Sequence, residues 1–328
     1  MQPNDDTTVR RDRNGAKLRD SARAKRHAGY CGYDEAQASW GLQATGAVTS
    51  PWTGAGVRVA VLDTGAALSH PHLAARIREV KSFVPNETAQ DRNGHGTACC
   101  GIVSGPRAYR HGSAGYGVAP AVDLYVGKVL NDAHRCGGVA SVVRGIEWAL
   151  GQRCRVICLA LGDSDLSCKA DPVFDALSRA ALDAGALIVA AAGNTSNRFG
   201  DRVDPVLFPA STESVLAVAS LTGRLTIDLN SNAGGDTRGS CISVAGPGQA
   251  IMSAARDGGV GYRNGTSMAA AFVAGIAALW LEAQPQLDGR ELWNVIQSTA
   301  QVLAGESRVD VGAGLARAPQ QHGINGEG

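Results

Sequence analysis

The chain has 328 residues, of which 44% are hydrophobic and 19% charged, so a sizeable core can form and general disorder is excluded. Its formal net charge of +1 gives no reason to expect nucleic acid or a membrane surface as a partner. The longest apolar runs of the sequence are expected to be too short to span a bilayer. The length suits one large α/β domain or two small ones.

Residues 1–37 are expected to form a separate basic segment. Arg and Lys recur between Arg10 and Arg26 with almost no large apolar residues, so this stretch cannot pack a core. It is expected to be a mobile tail or a short pro-segment. No apolar stretch follows the basic residues, so it does not resemble a secretory signal. We expect one globular domain over residues 38–317 and a loose tail over 318–328.

Apolar strands and helices alternate from residue 57 onward. Strands are predicted at 57–62, 123–129, 156–161, 186–191, 215–219 and 242–245. Helices are predicted at 94–103, 138–150, 171–184, from residue 267 onward, and at 289–299. This alternation predicts an α/β fold in which a parallel sheet is covered by helices on both faces.

The sequence contains eight cysteines and no Cys-x-x-Cys pair that would indicate a metal knuckle. A chain of this length does not need disulfides to stabilise its core. We expect most of the cysteines to be buried or free thiols. One or two disulfides among the cysteines between residues 136 and 168 stay open as an alternative.

Four polar residues fall at the ends of predicted strands or the starts of predicted helices. Asp63 and Asn194 follow strands, whereas His95 and Ser267 open helices after glycine-containing turns. In a parallel sheet such positions meet beyond the carboxyl ends of the strands. Singly, each has a structural explanation as a cap, a surface histidine or a turn residue. Together they supply a nucleophile, a proton acceptor, an orienting carboxylate and an amide donor, which indicates acyl transfer.

The local sequences around these four residues resemble those of one enzyme family. The matching pieces are residues 59–65 (VAVLDTG), 93–97 (NGHGT), 191–194 (AAGN) and 264–269 (NGTSMA). In this order they resemble the subtilisin-like serine proteases, or subtilases, over roughly residues 38–315. Four separated motifs in the right order are far more specific than a single short motif.

The resemblance implies a three-layer α/β/α fold around a mostly parallel, seven-stranded sheet, and endopeptidase activity on a peptide or protein substrate. It implies that Asp63 orients the base, His95 is the general base and acid, and Ser267 is the nucleophile. Asn194 would donate to the oxyanion together with the backbone N–H of Ser267. The Phe208–Pro209 bond is expected to be cis. We expect a monomer without a cofactor.

The location of the protein stays open. The family is typically secreted, whereas the absence of a signal-like apolar stretch and the unpaired-looking cysteines favour the cytoplasm.

Three departures from the family pattern bear on the site. Cys99 lies where a subset similar to proteinase K keeps a cysteine beneath the catalytic histidine, although a buried structural thiol explains it equally well. After the serine, Ala271 and Phe272 replace the usual Pro-His. His72 replaces a calcium-binding carboxylate, and residues 105–117 lack the Asn-rich pattern of the calcium loop. Because calcium requires several oxygen ligands, we predict that this site is absent, with a weaker cation site left open.

Substrate recognition is predicted along two stretches of backbone that would pair with an extended peptide as an added strand. The residues expected to contact substrate there are Ala160, Leu161, Gly162, Ala192 and Gly193. Nearby acids Asp165 and Asp204 resemble those lining the specificity pocket of kexin-like subtilases, which favours cleavage after Arg or Lys. The alternative is that they are solvated loop charges, neutralised by Arg198 and Arg202.

Two functions other than hydrolysis stay open on the sequence. A catalytically silent binding scaffold would keep the fold without the chemistry, but the four motif residues are all present. A transamidase or macrocyclase would use the same triad and usually needs an inserted lid near the site, and the sequence shows no long insertion there.

Overall fold

The computed structural model describes residues 32–108, 114–135, 138–162, 171–235 and 241–321. The strands are β1 (Arg58–Asp63), β2 (Ile77–Ser82), β3 (Asp123–Lys128), β4 (Val156–Leu159), β5 (Leu187–Ala191), β6 (Leu216–Leu221), β7 (Val244–Pro247), β8 (Ile251–Ala254) and β9 (Val260–Arg263). The helices are α1 (Trp40–Ala44), α2 (His95–Ser104), α3 (Val139–Gly151), α4 (Pro172–Asp183), α5 (Thr266–Ala283), α6 (Gly289–Ser298) and α7 (Arg308–Val311).

Seven strands form one sheet in the order β2-β3-β1-β4-β5-β6-β7, and every neighbouring pair is parallel. Strands β4 to β7 are buried along their whole length, as expected for a parallel sheet with helices on both faces. The predicted three-layer α/β/α fold is therefore confirmed. Strands β8 and β9 form a separate antiparallel hairpin that leads into α5.

Helix α5 is the central helix of the core and packs against β4, β5, β6, β7 and α2. Its small residues allow close approach: a Cβ on Gly275 would lie 2.6 Å from Cβ of Val118. The expectation that no apolar run could span a bilayer was wrong by length, since Thr266–Ala283 is long and apolar enough. Because 83% of that stretch is buried inside the fold, its apolar character is explained by its place in the core.

Hydrogen bonds attach residues near both ends of the described chain to the domain. At the start, the backbone N–H of Trp40 donates to Glu35 at 2.9 Å. At the end, the N–H of Ala318 donates to the carbonyl of Thr45 at 2.9 Å, and Gln320 donates to Gly46. The segment boundaries at residues 37 and 318 stay predictions. Residues 1–31 and 322–328 lie outside the described residues.

Several local predictions can be compared with the structure. Asp171 caps α4, with Pro172 as the first helical residue. The Phe208–Pro209 bond is cis, as the resemblance implies. Cys154 and Cys158 are buried free thiols, whereas Cys136 and Cys168 lie outside the described residues. Strand β2 was missed because its residues are mostly exposed and polar, so they show no apolar run.

Candidate active site

Asp63 and His95 form a direct pair at the carboxyl end of the sheet. Strand β1 ends at Asp63, which is fully buried. The His95 imidazole Nδ1 lies 2.8 Å from one carboxylate oxygen of Asp63 and 3.0 Å from the other. A proton on Nδ1 is donated to this carboxylate, which leaves Nε2 as the proton acceptor.

The pair holds its charges by mutual attraction. Burial opposes ionisation of Asp63, but the charge of His95 and their hydrogen bond outweigh it and lower the pKa of Asp63. Burial likewise disfavours protonation of His95, but the Asp63 charge and hydrogen bond outweigh it and raise the pKa of His95. The environment therefore favours the imidazolium that forms when His95 accepts a proton.

Asp91 holds the turn that delivers His95, and the sequence analysis missed it. The residue is buried, with 1% of its surface exposed. It accepts hydrogen bonds from the hydroxyls of Thr64 and Thr97 and from the backbone N–H groups of Asn93, Gly94 and Thr97. Thr64 directly follows Asp63, so one buried carboxylate connects the end of β1 to the start of α2. Its place four residues before His95 was the only signal in the sequence.

Ser267 lies in the first turn of α5 rather than at its cap. The cap position is Gly265, with a φ of 124° and no side-chain cap. The hydroxyl of Ser267 instead donates to the carbonyl of Ala160 at 2.8 Å. The alternative explanation of Ser267 as a helix cap is therefore wrong, because Gly265 holds the cap position and the Ser267 hydroxyl bonds to Ala160, which follows the end of β4.

Asn194 is fixed beside Ser267 by its side-chain oxygen. Its Oδ1 accepts from the backbone N–H of Thr266 at 2.8 Å and from the Thr266 hydroxyl at 3.1 Å. These two donors assign the orientation of the amide, so its NH₂ group points away from Thr266. Asn194 is exposed. An amide donor is thus available next to the N-terminus of α5, where the helix dipole also favours negative charge.

The Asp63–His95 pair and the Ser267–Asn194 pair lie together at the carboxyl edge of the sheet, where the parallel strands end. Strands β1 and β4 are neighbours, and Ala160 follows the end of β4 as closely as Thr64 follows the end of β1. Ala160 holds Ser267, and α2 packs against α5. Ser267 and His95 are both among the described residues, and no hydrogen bond joins their side chains. All four predicted residues are therefore gathered at this edge, with the serine bonded to Ala160.

Cys99 lies beneath the pair, where the resemblance predicted it. Its Sγ is 3.8 Å from Asp63 Oδ2 and 3.9 Å from His95 Nδ1. Ligand atoms of these three residues lie within 4.8 Å of one another, a grouping that could in principle hold a metal ion. Burial and the nearby Asp63 charge raise the pKa of the Cys99 thiol well above its usual range. A protonated thiol is a poor ligand, and Asp63 and His95 already satisfy each other.

The backbone groups predicted to contact substrate differ in whether they already bond within the fold. Leu161 and Gly162 make no backbone hydrogen bond to another described residue; Gly162 is exposed, whereas Leu161 is buried. Ala192 is bonded to Val218 and Leu207, and Gly193 to Thr266 and Asn232. The prediction that Ala192 and Gly193 offer a strand edge is therefore not supported, because their polar groups are used inside the fold.

The predicted specificity pocket contains a feature that the sequence analysis missed. A Cβ on Gly193 would lie 2.8 Å from Cγ of Leu207, and one on Gly162 would lie 3.6 Å from Cβ of Leu207. Leu207 therefore fills space between the two glycines. Asp204 lies 3.5 Å from the guanidinium of Arg202, in a partly exposed ion pair. Asp165 lies outside the described residues.

In its described part, the region where the resemblance places a calcium site holds the imidazole of His72 and the guanidinium of Arg107. His72 Nδ1 lies 2.7 Å from the hydroxyl of Tyr116. The guanidinium of Arg107 donates to the carbonyl oxygens of Ser50 and Val118. Among the described residues, these groups do not fit a hard cation, because carbonyls that could ligate it are already bound to a positive charge.

The chain matches a known protein family and several proteins of related sequence. The model of the subtilase family, Peptidase_S8, matches residues 54–318. Subtilisin E from Bacillus subtilis (strain 168) is 36% identical over 254 residues, which cover 77% of this chain and 62% of subtilisin E. Alkaline elastase YaB from Bacillus sp. (strain YaB) is 35% identical over 283 residues, covering 85% of this chain and 68% of that protein. The chain thus spans less than two thirds of the length of subtilisin E.

Solved structures show the same relationship. The structure titled Sphericase superposes with a TM-score of 0.73 at 28% identity, covering 88% of this chain and 100% of that one. A cold-adapted subtilisin-like serine proteinase superposes with a TM-score of 0.68 at 28% identity, covering 85% and 96%. From the family match and these similarities, the chain belongs to the subtilase family of serine proteases.

Proposed function

We propose that this chain is an endopeptidase that hydrolyses peptide bonds by a serine mechanism. The observation that carries the proposal is the hydrogen-bonded Asp63–His95 pair at the sheet edge where Ala160 holds the hydroxyl of Ser267. Membership of the subtilase family supports the same reaction.

In the proposed mechanism, Ser267 Oγ attacks the peptide carbonyl carbon while His95 Nε2 takes its proton. Asp63 holds the Nδ1–H and stabilises the imidazolium. The negative charge that develops on the carbonyl oxygen is stabilised by the Asn194 amide and the backbone N–H of Ser267, close to the positive end of α5. His95 then protonates the leaving amine, and a water molecule completes the second half of the reaction.

Substrate binding is proposed to use the backbone groups of Leu161 and Gly162, which bond to no other described residue. A peptide paired with Leu161 and Gly162 would run past Ala160, whose carbonyl bonds to Ser267. Pairing of an extended peptide with an exposed backbone edge provides main-chain affinity without dictating side chains. Sequence preference then comes from the pocket beside Gly162 and Gly193.

Cleavage after Arg or Lys is the finer proposal. It rests on Asp204 and Asp165, and the Arg202–Asp204 ion pair competes with it. Leu207 between the glycines favours a shallow apolar pocket instead. A set of peptides that differ only in the residue before the scissile bond distinguishes the two. Preference for Arg and Lys supports the proposal, whereas equal or better cleavage after Ala or Leu overturns it.

The experiment that tests the activity is labelling with a fluorophosphonate, read by intact mass and peptide mapping. We expect one adduct on Ser267 in the wild type and none in Ser267→Ala, together with hydrolysis of a denatured protein substrate by the wild type alone. Absence of both labelling and hydrolysis in a folded wild type would overturn the proposal in favour of a silent scaffold. Products joined to an added amine, instead of free carboxylates, would indicate a transamidase.

A further inference from the structure

The solvent side of the His95 imidazole is covered by a second histidine. The ring centroids of His95 and His134 lie 4.3 Å apart, with an angle of 52° between the rings. This spacing is as short as that of packed aromatic pairs in protein cores. Asp63 is buried beneath His95, whereas His134 is itself exposed, so His134 lies on the outer side of His95. The His95 side chain is left 19% exposed.

His134 reaches this position through a left-handed backbone conformation. Its φ is 60°, a region that non-glycine residues enter uncommonly and at a cost of about 1 kcal/mol or more. The surrounding turn is closed by bonds from His134 N–H to Asn131 O and from Asn131 N–H to Arg135 O. The Asn131 side chain accepts from the N–H groups of Ala133 and Arg135. These bonds fix the backbone from which the His134 side chain extends.

A buried lysine connects this turn to the rest of the site. Lys128 is fully buried, and its ammonium donates to the carbonyl of Thr64 and to Asp132 Oδ1, both at 2.8 Å. It also lies 3.1 Å from a carboxylate oxygen of Glu87, which accepts the N–H of Asp132. Because Thr64 follows Asp63, one ammonium group fixes both the end of β1 and the turn that carries His134.

Several charges face the two histidines. Around His95 these are Asp63 on β1, Asp91 before α2 and Arg263 on β9, with the neutral thiol of Cys99 on α2. Burial, and then the charge of His95, lower the pKa of His134, against the attraction of Asp63 and Asp91. As the pH falls, His95 is therefore protonated before His134, and the ring beside the imidazolium is neutral.

From this geometry we propose that His134 is a positioning residue for the reaction: its ring covers the outer face of His95 and excludes water from it. The inference rests on the proposed function, because it assigns a role beside the proposed general base. Removal of the ring exposes His95 to water. Since desolvation disfavours the imidazolium, better hydration raises the pKa of His95 further.

The first test compares the pH dependence of kcat/KM in three variants. In His134→Ala we expect the acid limb to move up by about half a pH unit, with about threefold lower kcat/KM below it. His134→Phe keeps the covering ring without a titrating group and should retain the wild-type profile. Arg135→Ala, in the same turn, is the matched control and should be unchanged. An unchanged pH profile in His134→Ala would overturn the proposal. So would an acid limb that shifts equally in His134→Phe or in Arg135→Ala.

The second test does not depend on turnover. NMR titration of His95 in the inactive Ser267→Ala protein is compared with and without His134→Ala, after thermal unfolding has shown that both are folded. We expect His95 to titrate at higher pH when His134 is absent. Identical titration curves would overturn the role of His134 even in an active protease. A wild type that hydrolyses nothing would overturn the proposed function. The NMR titration would still decide whether the His134 ring changes the pKa of His95.

Discussion

The hydroxyl of Ser267 donates to the carbonyl of Ala160 at 2.8 Å. That carbonyl belongs to the stretch on which a substrate peptide is proposed to lie. A hydroxyl bonded to it cannot at the same time give its proton to His95 Nε2. Attack therefore requires the Ser267 side chain to rotate away from Ala160, a change of one dihedral angle within the first turn of α5.

This rotation gives the first prediction. In a crystal structure with a covalent boronate analogue of the tetrahedral intermediate, we expect Ser267 Oγ to have left Ala160. The oxyanion should lie about 3 Å from the Asn194 amide nitrogen and from the N–H of Ser267. An oxyanion that points away from Asn194 would contradict the assigned oxyanion hole. Unliganded crystals grown alongside provide the control for the starting rotamer.

Loss of the Asn194 amide donor should mainly reduce kcat. We expect Asn194→Ala to lower kcat by roughly 10²- to 10³-fold, the loss known for one such donor in a related subtilisin, with little change in KM. The same variant removes the acceptor for Thr266 and should cost about 1 kcal/mol in the free energy of unfolding.

Asn194→Asp separates the two effects, because it keeps that acceptor and lacks the NH₂ group. It should lose kcat at least as strongly and lose less stability. Asn197→Ala, on the same exposed loop, is the control. Normal kcat in both Asn194 variants would exclude the donor role.

The pH dependence of activity should follow the Asp63–His95 pair. The pKa of His95 is raised from the ordinary value of 6.5, and the reaction needs neutral Nε2. We therefore expect kcat/KM to fall as the pH drops through a value above 6.5. The stability that the protonated His95 contributes has its own pH range: it is fully present below 6.5 and is lost as the pH rises through the raised pKa.

Steady-state kinetics over this pH range provide the measurement. Asp63→Asn removes the negative charge that raises the pKa of His95. The acid limb of the kcat/KM profile should therefore move to lower pH, and the activity should drop. A wild-type limb below 6.5 would contradict the pair as described.

Asp91 should matter for stability more than a surface acid does. Its carboxylate accepts five hydrogen bonds from buried or turn-forming groups. Asp91→Asn replaces one acceptor oxygen by a donor and leaves N–H groups unpaired, which should cost about 2 kcal/mol in the free energy of unfolding. Activity should fall with it, since the turn positions His95.

Urea unfolding checks this, with Asp123→Asn as the control. Asp123 pairs with Arg78 at the surface, and such pairs contribute about 1 kcal/mol or less. If the two variants lost equal stability, Asp91 would not be the organising group of the turn.

Metal removal should leave the fold unaffected. His72 bonds to Tyr116, and Arg107 binds the carbonyls of Ser50 and Val118. We therefore expect the Tm to be the same with a calcium chelator and with added calcium, and Arg107→Ala to lower it. A Tm that falls with chelator and recovers with calcium would show a cation site elsewhere in the chain.

Much of the site was predictable because the candidate catalytic residues lie in short sequence motifs. Asp63, His95, Asn194 and Ser267 each lie at a strand end or helix start, so their place at the carboxyl edge follows from alternation alone. Helix α4 was equally clear, since Asp171 and Pro172 form a cap signal. Strand β2 was missed because an exposed edge strand does not need an apolar run.

Interactions between distant segments were not predictable in the same way. Nothing local indicates that Ser267 bonds to Ala160, that Leu207 fills the space between Gly162 and Gly193, or that Ala192 has no free polar groups. The sequence by itself determined the fold class, the family and the candidate residues for the proposed chemistry, because periodicity and motifs are local properties. Only the tertiary structure decided how His134 covers His95 and how Lys128 holds its turn, since packing joins residues that no local pattern connects.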